Sequence, residues 1–244
     1  MGPREILGRA VGAMWAAPVA AISALRHARM FHPRGVLYRA HVVPYSSLAG
    51  EGVARRFSGH ALVRLSGATS KEDAEDHEVL GLGMRLSDRE ITSATPAEGD
   101  QDLLFATILS PLTMPIAPYF TRSDDFLENT YHAVAPFEIE DAGRVKIRLV
   151  PLAVTGAHEG HRRERLARAV EEKRAVFVIE IRRTFGLRWD AVAKLVIDAP
   201  SDIDQEALRF DPFRVGRGIH PVGFVHGIRK LVYAASQRAR PTHA

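Results

Sequence analysis

Cysteine is absent from this chain of 244 residues. Without a thiolate, disulfide bonds, zinc–thiolate sites, iron–sulfur clusters and every other thiolate-bound metal centre are excluded. Any metal chemistry must therefore use histidine, tyrosine or carboxylate ligands.

The chain also lacks a large excess of charge of either sign. Lys and Arg total 33 against 29 Asp and Glu, which gives a formal charge of +4, and nearly all the cations are Arg. So small and scattered an excess argues against nucleic-acid binding. The enrichment in Arg suits partners that carry carboxylate or phosphate groups.

No apolar run is long enough to span a bilayer. Residues 10–25 resemble the apolar core of a signal peptide, but this run is too short to cross a membrane and contains Pro18. We predict a helix within residues 1–28 that packs on the core or on a partner subunit, in a cytoplasmic protein. Export, membrane anchoring and peripheral membrane contact through this helix stay open as alternatives.

Apolar residues make up 46% of the chain and charged residues 25%, as in soluble globular proteins. Alternating or β-rich patterns predict about seven or eight strands, including residues 36–43, 61–66, 81–86, 101–107, 144–151, 176–182 and 193–197. Helical spacing is found in residues 3–28, 123–133, 159–173 and 221–238. This order predicts an α+β fold: a mainly antiparallel barrel with flanking helices, one domain over residues 29–240, and a loose tail at 241–244.

The last helical segment carries a polar line down one face. Arg229, Tyr233 and Gln237 are four residues apart, and Arg240 follows about one turn later. A guanidinium one turn before a tyrosine favours the phenolate, which is a ligand for ferric iron. Alone, the same spacing is also that of an ordinary helix surface.

Other segments strengthen that interpretation. The segment from Arg29 through His32 to Gly35 resembles the distal histidine segment of haem catalases, in which an Arg stands three residues before the essential His. Residues 63–66, Val-Arg-Leu-Ser, are similar to a Val-Arg-Phe-Ser strand of that family. The pair Arg229 and Tyr233 is similar to the family's proximal helix. These motifs occur in the family's chain order.

The resemblance implies an eight-stranded antiparallel catalase-like barrel that binds haem b. It looks like a reduced member, similar in plan to catalase-like allene oxide synthases and catalase-related peroxidases. By resemblance, Tyr233 ligates the iron and is held as phenolate by Arg229. By the same resemblance, His32 is the general acid–base and Ser66 orients its ring. Arg29, Arg64 and Arg240 are the partners of the haem propionates.

The distal pocket departs from the family pattern. Catalases carry a distal Asn on a strand Asp-Leu-Val-Gly-Asn-Asn. Aligned on Asp102, residues 104–107 are Leu-Phe-Ala-Thr and supply no carboxamide. Thr107 offers the one hydroxyl there, with its position uncertain by a residue. Phe31 replaces a small aliphatic residue beside His32, so a bulky ring reshapes the pocket.

These departures favour a peroxidase or an organic-hydroperoxide-transforming enzyme over an efficient catalase. The substrates are then hydrogen peroxide or an organic hydroperoxide, with a lipid-like or aromatic co-substrate admitted by the apolar run of residues 109–120. A haem-binding protein without turnover, a genuine minimal catalase and a haem-free barrel remain alternatives. A homodimer is expected.

Several residues have a plainer interpretation. His32 beside Pro33 suits an ordinary loop, and Ser66 suits a strand end. Arg64 suits an ion pair with Asp102 or Glu78. The remaining candidates for metal ligands are expected to be solvated: His77, His158 and His161.

Overall fold

A computed structural model of the chain describes residues 35–46, 49–68, 77–110, 113, 116–133, 135–152 and 159–222. The N-terminal helix expected within residues 1–28, the loose tail and the segment around Tyr233 lie outside these ranges.

The described residues form one sheet of ten strands. Pairing of β7 with β8 closes eight of them into a ring in the order β7-β5-β4-β3-β2-β1-β9-β8, and β6 and β10 extend the sheet beside β7. All the pairings are antiparallel, so the predicted eight-stranded antiparallel barrel is confirmed. The strands are β1 (Gly35–Pro44), β2 (Gly59–Gly67), β3 (Leu80–Ser87), β4 (Gln101–Ala106), β5 (Tyr131–His132), β6 (Phe137–Ile139), β7 (Gly143–Pro151), β8 (Val176–Arg183), β9 (Asp190–Pro200) and β10 (Ile219–Pro221).

The barrel interior is the main hydrophobic core. Successive side chains of a strand point to opposite faces, so alternate residues enter the ring. On β2, Val63 and Leu65 point inwards, whereas Leu62 belongs to a separate outer cluster, as the alternation predicted. Other inward residues are Tyr38, Leu82, Met84, Phe105, Tyr131, Ile147, Leu149, Phe177, Ile179 and Leu195.

The described helices are short and lie outside the ring. They are α1 (Glu51–Arg56), α2 (Ala117–Phe120), a 3₁₀ helix (Phe126–Glu128) and α3 (Arg162–Glu171). Helix α3 buries Leu166, Ala169 and Val170, which share one face at helical spacing. Among the described residues, no helix is long and apolar enough to cross a membrane.

Two sequence expectations differ from the structure. The helix predicted over 123–133 is mostly a loop, because Asp125 accepts a hydrogen bond from Leu127 N and the Asn129 side chain bonds both the N–H and the C=O of Arg122. Such local side-chain bonds compete with helix formation. The short strand predicted over 193–197 is part of the longer β9, because its ends pair with β1 and β8.

A buried ion pair fixes the segment 201–218 to the outside of the barrel. The Arg85 guanidinium donates to both carboxylate oxygens of Asp102, at 2.8 and 3.1 Å, and both side chains are fully buried. Asp102 also accepts from Asp211 N at 2.8 Å and lies 3.4 Å from Arg214 Nε. Burial raises the pKa of the Asp102 carboxyl, and these donors offset part of that rise. The Asp102 carboxylate is thus engaged in the ion pair with Arg85.

We expect Asp102→Asn to destabilise the fold by about 3–5 kcal/mol, because it leaves the Arg85 charge buried without its partner. Denaturant unfolding measures the loss. Glu51→Gln is the matched control, since it removes the exposed pair with Arg55 and should change stability by less than about 1 kcal/mol. Equal effects of the two changes would contradict a structural role for the buried pair.

Candidate functional site

The structure describes three of the residues proposed for the site. Arg64 and Ser66 lie two residues apart on β2, so their side chains share the outer face of the barrel. Thr107 follows the last residue of β4. The remaining candidates, Arg29, Phe31, His32, Arg229, Tyr233 and Arg240, lie outside the described residues.

Ser66 stands in a row of small residues that crosses four strands. It pairs with Gly35 of β1 on one side and Gly81 of β3 on the other, and Gly81 pairs with Ala106 of β4. Paired residues of neighbouring strands project from the same face of a sheet. In the row Ser66 lies between the two glycines and the Ala106 methyl group lies beyond Gly81, so no large side chain projects from the row, which is nearly flat. Ser66, Gly81 and Ala106 are buried, and Ala106 packs in a small apolar cluster with Ile108 and Ala117.

Arg64 lies next to this row and is buried, with 5% of its surface exposed. It pairs with Leu37 of β1 and Gly83 of β3. Its guanidinium packs over Gly35: a Cβ atom there would lie 2.8 Å from Arg64 Cζ and 2.6 Å from Leu65 O. A glycine at position 35 is therefore required for the guanidinium to occupy its place beside the row.

The structure does not bring Thr107 together with Arg64 and Ser66. The Thr107 hydroxyl accepts a hydrogen bond from Leu80 N at 3.0 Å and bonds the Thr121 hydroxyl at 2.8 Å. These bonds lie at the end of the β3–β4 ladder, one residue beyond the pair of Gly81 and Ala106. Ala106 is therefore the β4 residue that shares the outer face and the row with Ser66. The sequence left the residue that replaces the distal Asn uncertain by one position, and the register shows only that Ala106, not Thr107, belongs to the row.

Asp102 and Glu78, the two carboxylates considered as partners of Arg64, each pair with another arginine. Both oxygens of Asp102 bond Arg85, and Glu78 pairs with Arg162 at 2.5 Å. The sequence analysis missed the pairing of Arg85 with Asp102. The available signal was a charged residue inside each of two apolar strand patterns.

His132 extends the row by one strand, since it pairs with Ala106. Partial burial and the neighbouring cations Arg148, Lys146 and Arg182 lower its pKa to about 4. The imidazole is therefore neutral at neutral pH. The sequence analysis did not single out His132, because nothing in its local pattern marks it.

An exposed apolar segment leaves the barrel at the same end as the row. It follows Ala106 and includes α2, and His77 lies against Tyr119 with their ring centroids 5.5 Å apart. Its exposed large apolar residues are Leu109, Ile116, Tyr119 and Phe120.

Among the described residues, no group of three or more His, Asp or Glu side chains is placed to hold a metal ion. A cleft of about 330 Å³ lies elsewhere on β1 and β2, lined in part by Arg39, His60 and Asp198, and none of the predicted site residues lines it. The described residues of the candidate site thus offer a flat face with one buried cation, and the proposed iron ligand, Tyr233, lies outside them.

No family model and no curated protein sequence matches the chain. Among solved structures it is similar to a bacterial catalase, with a TM-score of 0.57 at 13% identity, and to a fungal catalase, with a TM-score of 0.63 at 10% identity. Each match covers 87% of this chain but only 57% and 59% of those two chains, so this chain spans less than two thirds of their length. At such low identity the similarity shows the fold, which is a catalase-like barrel.

His132 gives the fold a measurable dependence on pH. Its pKa is about 4 in the folded state, against about 6.5 for an unperturbed His. Between these values the unfolded state binds more protons, so this contribution to stability is fully present above about pH 6.5 and is lost as the pH falls towards 4. After a discount for solvent screening, we expect a loss of about 1–2 kcal/mol.

The measurement is denaturant unfolding at about pH 7 and about pH 4.5, for the parent protein and for His132→Gln. The parent should lose more stability than the variant on acidification, because Gln does not titrate. Parallel losses would show that His132 does not carry this dependence.

Proposed function

We propose that the protein is a haem-dependent peroxidase or organic-hydroperoxide-transforming enzyme, with weak or no catalase activity. The observation that carries the proposal is the pair of buried residues on the outer face of β2. Arg64 places a buried guanidinium on this face, and Ser66 lies in a row of small residues. A planar, apolar group with carboxylate substituents suits such a surface.

The position of Gly35 supports the assignment of His32. Gly35 is paired with Ser66, and His32 is three residues earlier in the chain. Covalent geometry keeps the Cα atoms of His32 and Gly35 within about 11 Å of each other. This limit allows His32 to reach Ser66, as the proposed distal pair requires.

Haem, if bound, would supply the redox chemistry on the peroxide. In the proposed mechanism His32 would act as the general acid–base, which holds the proton that leaves one peroxide oxygen and delivers it to the other. Ser66 accepts or donates a hydrogen bond at the other ring nitrogen and so fixes the imidazole. Arg229 favours the phenolate of Tyr233, the proposed iron ligand.

The three remaining arginines have a positioning role in this proposal. Arg64, Arg29 and Arg240 would pair with the two haem propionates through charge-assisted hydrogen bonds. Arg64 is the one of these that lies among the described residues, and its burial would strengthen such a bond, because the local dielectric constant is lower than in water.

The row favours reactions other than rapid dismutation of hydrogen peroxide. Neither of the two positions to which the resemblance could assign the distal carboxamide supplies one: Ala106 provides only a methyl group, and Thr107 is bonded within the sheet. The exposed apolar segment at the same end, with Leu109 and Phe120, suits an organic hydroperoxide. The missing carboxamide also favours a second candidate function, haem binding without turnover.

Haem titration followed by absorption spectroscopy tests the proposed cofactor. The parent should bind haem and give a Soret band, and Tyr233→Phe should lose the haem or shift the band. Tyr131→Phe is a matched control, because Tyr131 is buried in the barrel and donates to Phe126 O. A parent without a Soret band would support a haem-free barrel, and an unchanged Tyr233→Phe spectrum would remove Tyr233 from the proposal.

Stopped-flow mixing of the haem-loaded protein with peroxides tests turnover. We expect spectral changes and product formation with cumene hydroperoxide, slow consumption of hydrogen peroxide, and loss of both in His32→Ala. An unchanged spectrum with every peroxide would support binding without turnover. Hydrogen peroxide consumed at catalase-like rates, with cumene hydroperoxide ignored, would identify a minimal catalase.

The position of Ala106 gives a gain-of-function prediction. Ala106→Asn should raise the rate of hydrogen peroxide consumption by about tenfold or more, because it places a hydrogen-bond donor in the row beside Ser66. Thr107→Asn is the matched control and should give no gain, since position 107 lies at the end of the ladder. Thermal unfolding checks that both variants fold. Equal rates in the parent and the well-folded Ala106→Asn protein would contradict the assignment of Ala106 to the distal face.

A further inference from the structure

The turn between β8 and β9 exposes two large apolar side chains. Phe185 is 98% exposed and Leu187 is 95% exposed. Among the described residues these are the most exposed of the large hydrophobic side chains. They lie on residues 184–189, at the end of the barrel opposite the Ser66 row, since the turn adjoins the first residues of β7.

The base of this turn is fixed to the barrel. Thr184 donates from both its backbone N and its hydroxyl to Arg144 O, at 2.9 and 3.1 Å. Gly186 N donates to Arg183 O at 2.8 Å, which closes the turn. The two apolar side chains therefore project from an anchored tip and remain outside the core.

Two exposed cations flank the tip along the chain. Arg183 and Arg188 are exposed on either side of it, and Arg182 precedes them on β8. Within residues 182–190 the only acidic residue is Asp190, and Arg188 lies 3.7 Å from it. The turn thus carries two exposed apolar side chains, Phe185 and Leu187, flanked by the exposed cations Arg183 and Arg188.

The indole ring of Trp189 contacts two guanidinium groups. The Cζ atoms of Arg148 and Arg182 lie 4.1 and 4.8 Å from the centroid of the indole ring. Trp is enriched at the level of lipid headgroups, where its ring contacts both apolar and polar surroundings. Trp189 is two residues from Leu187 in the chain.

We propose that the β8–β9 turn is a membrane-docking element that inserts Phe185 and Leu187 into the surface of an anionic lipid bilayer. Apolar insertion and electrostatic attraction act together in such peripheral binding, and Arg183 and Arg188 would contact the headgroups. A second copy of the chain suits this exposed turn less well than a lipid bilayer does. A convex tip with two apolar side chains offers far less than the roughly 800 Å² per partner of a stable protein interface.

Vesicle sedimentation tests the proposal without any need for haem. The full chain should sediment with vesicles of phosphatidylcholine and phosphatidylserine, and more weakly with phosphatidylcholine alone. The double variant Phe185→Ser/Leu187→Ser should bind the mixed vesicles about tenfold or more weakly. Phe120→Ser is the matched control at the other end of the barrel and should bind as the parent does. Absence of parent binding, or equal binding by the double variant, would overturn the proposal.

The two Trp residues of the chain allow a direct test of insertion. Trp15→Phe leaves Trp189 as the sole indole, and its fluorescence should be quenched by brominated phospholipid in the mixed vesicles. Arg183→Gln/Arg188→Gln should reduce the binding and its salt dependence. Binding without quenching of Trp189 would place the contact elsewhere. A dimer in light scattering that the Phe185→Ser/Leu187→Ser change abolishes would identify a second copy as the occupant and overturn the proposal.

Discussion

The pairing of β7 with β8 is the constraint on which the rest of the structure depends. It turns an open sheet into a ring, and a ring has an inside that only apolar side chains can fill. Once Val63 and Leu65 point inwards, Arg64 and Ser66 must point outwards, because alternate residues of a strand face opposite ways. The candidate site is therefore on the outer wall of the barrel, and the barrel interior is its support.

The outer wall divides into two parts with different roles. Below the row, the buried pair of Arg85 and Asp102 holds the segment 201–218 against β3 and β4, and Phe210 packs on Gly83. At the row itself, small residues and Arg64 leave a flat surface. Several other arginines also serve the fold: Arg162 pairs with Glu78, and Arg148 pairs with Glu180 and stacks on Trp189. The enrichment in Arg is thus partly structural, which weakens composition as an argument for propionate binding.

Alternation in the sequence predicted most of the strands and the antiparallel barrel, because an inward apolar residue at every second position leaves a clear pattern. It did not predict β5, β6 or β10, which are two or three residues long and too short for any periodicity. Register is also invisible in a single sequence. The choice between Ala106 and Thr107 therefore needed the structure, as did the pairing of Ala106 with His132. The helix expected over 123–133 failed because Asp125 and Asn129 bond nearby backbone groups.

The proposed site combines an outer face that the structure describes with His32 and Tyr233, which were identified from the sequence. We propose that haem binds over the small-residue row, with Arg64 at a propionate and Tyr233 on the iron. A crystal structure of the haem-loaded protein tests this claim most directly. We predict haem against Gly81 and Ala106 on the outer wall, coordinated by the Tyr233 oxygen. Haem bound away from this wall, or iron coordinated by another side chain, would contradict the account.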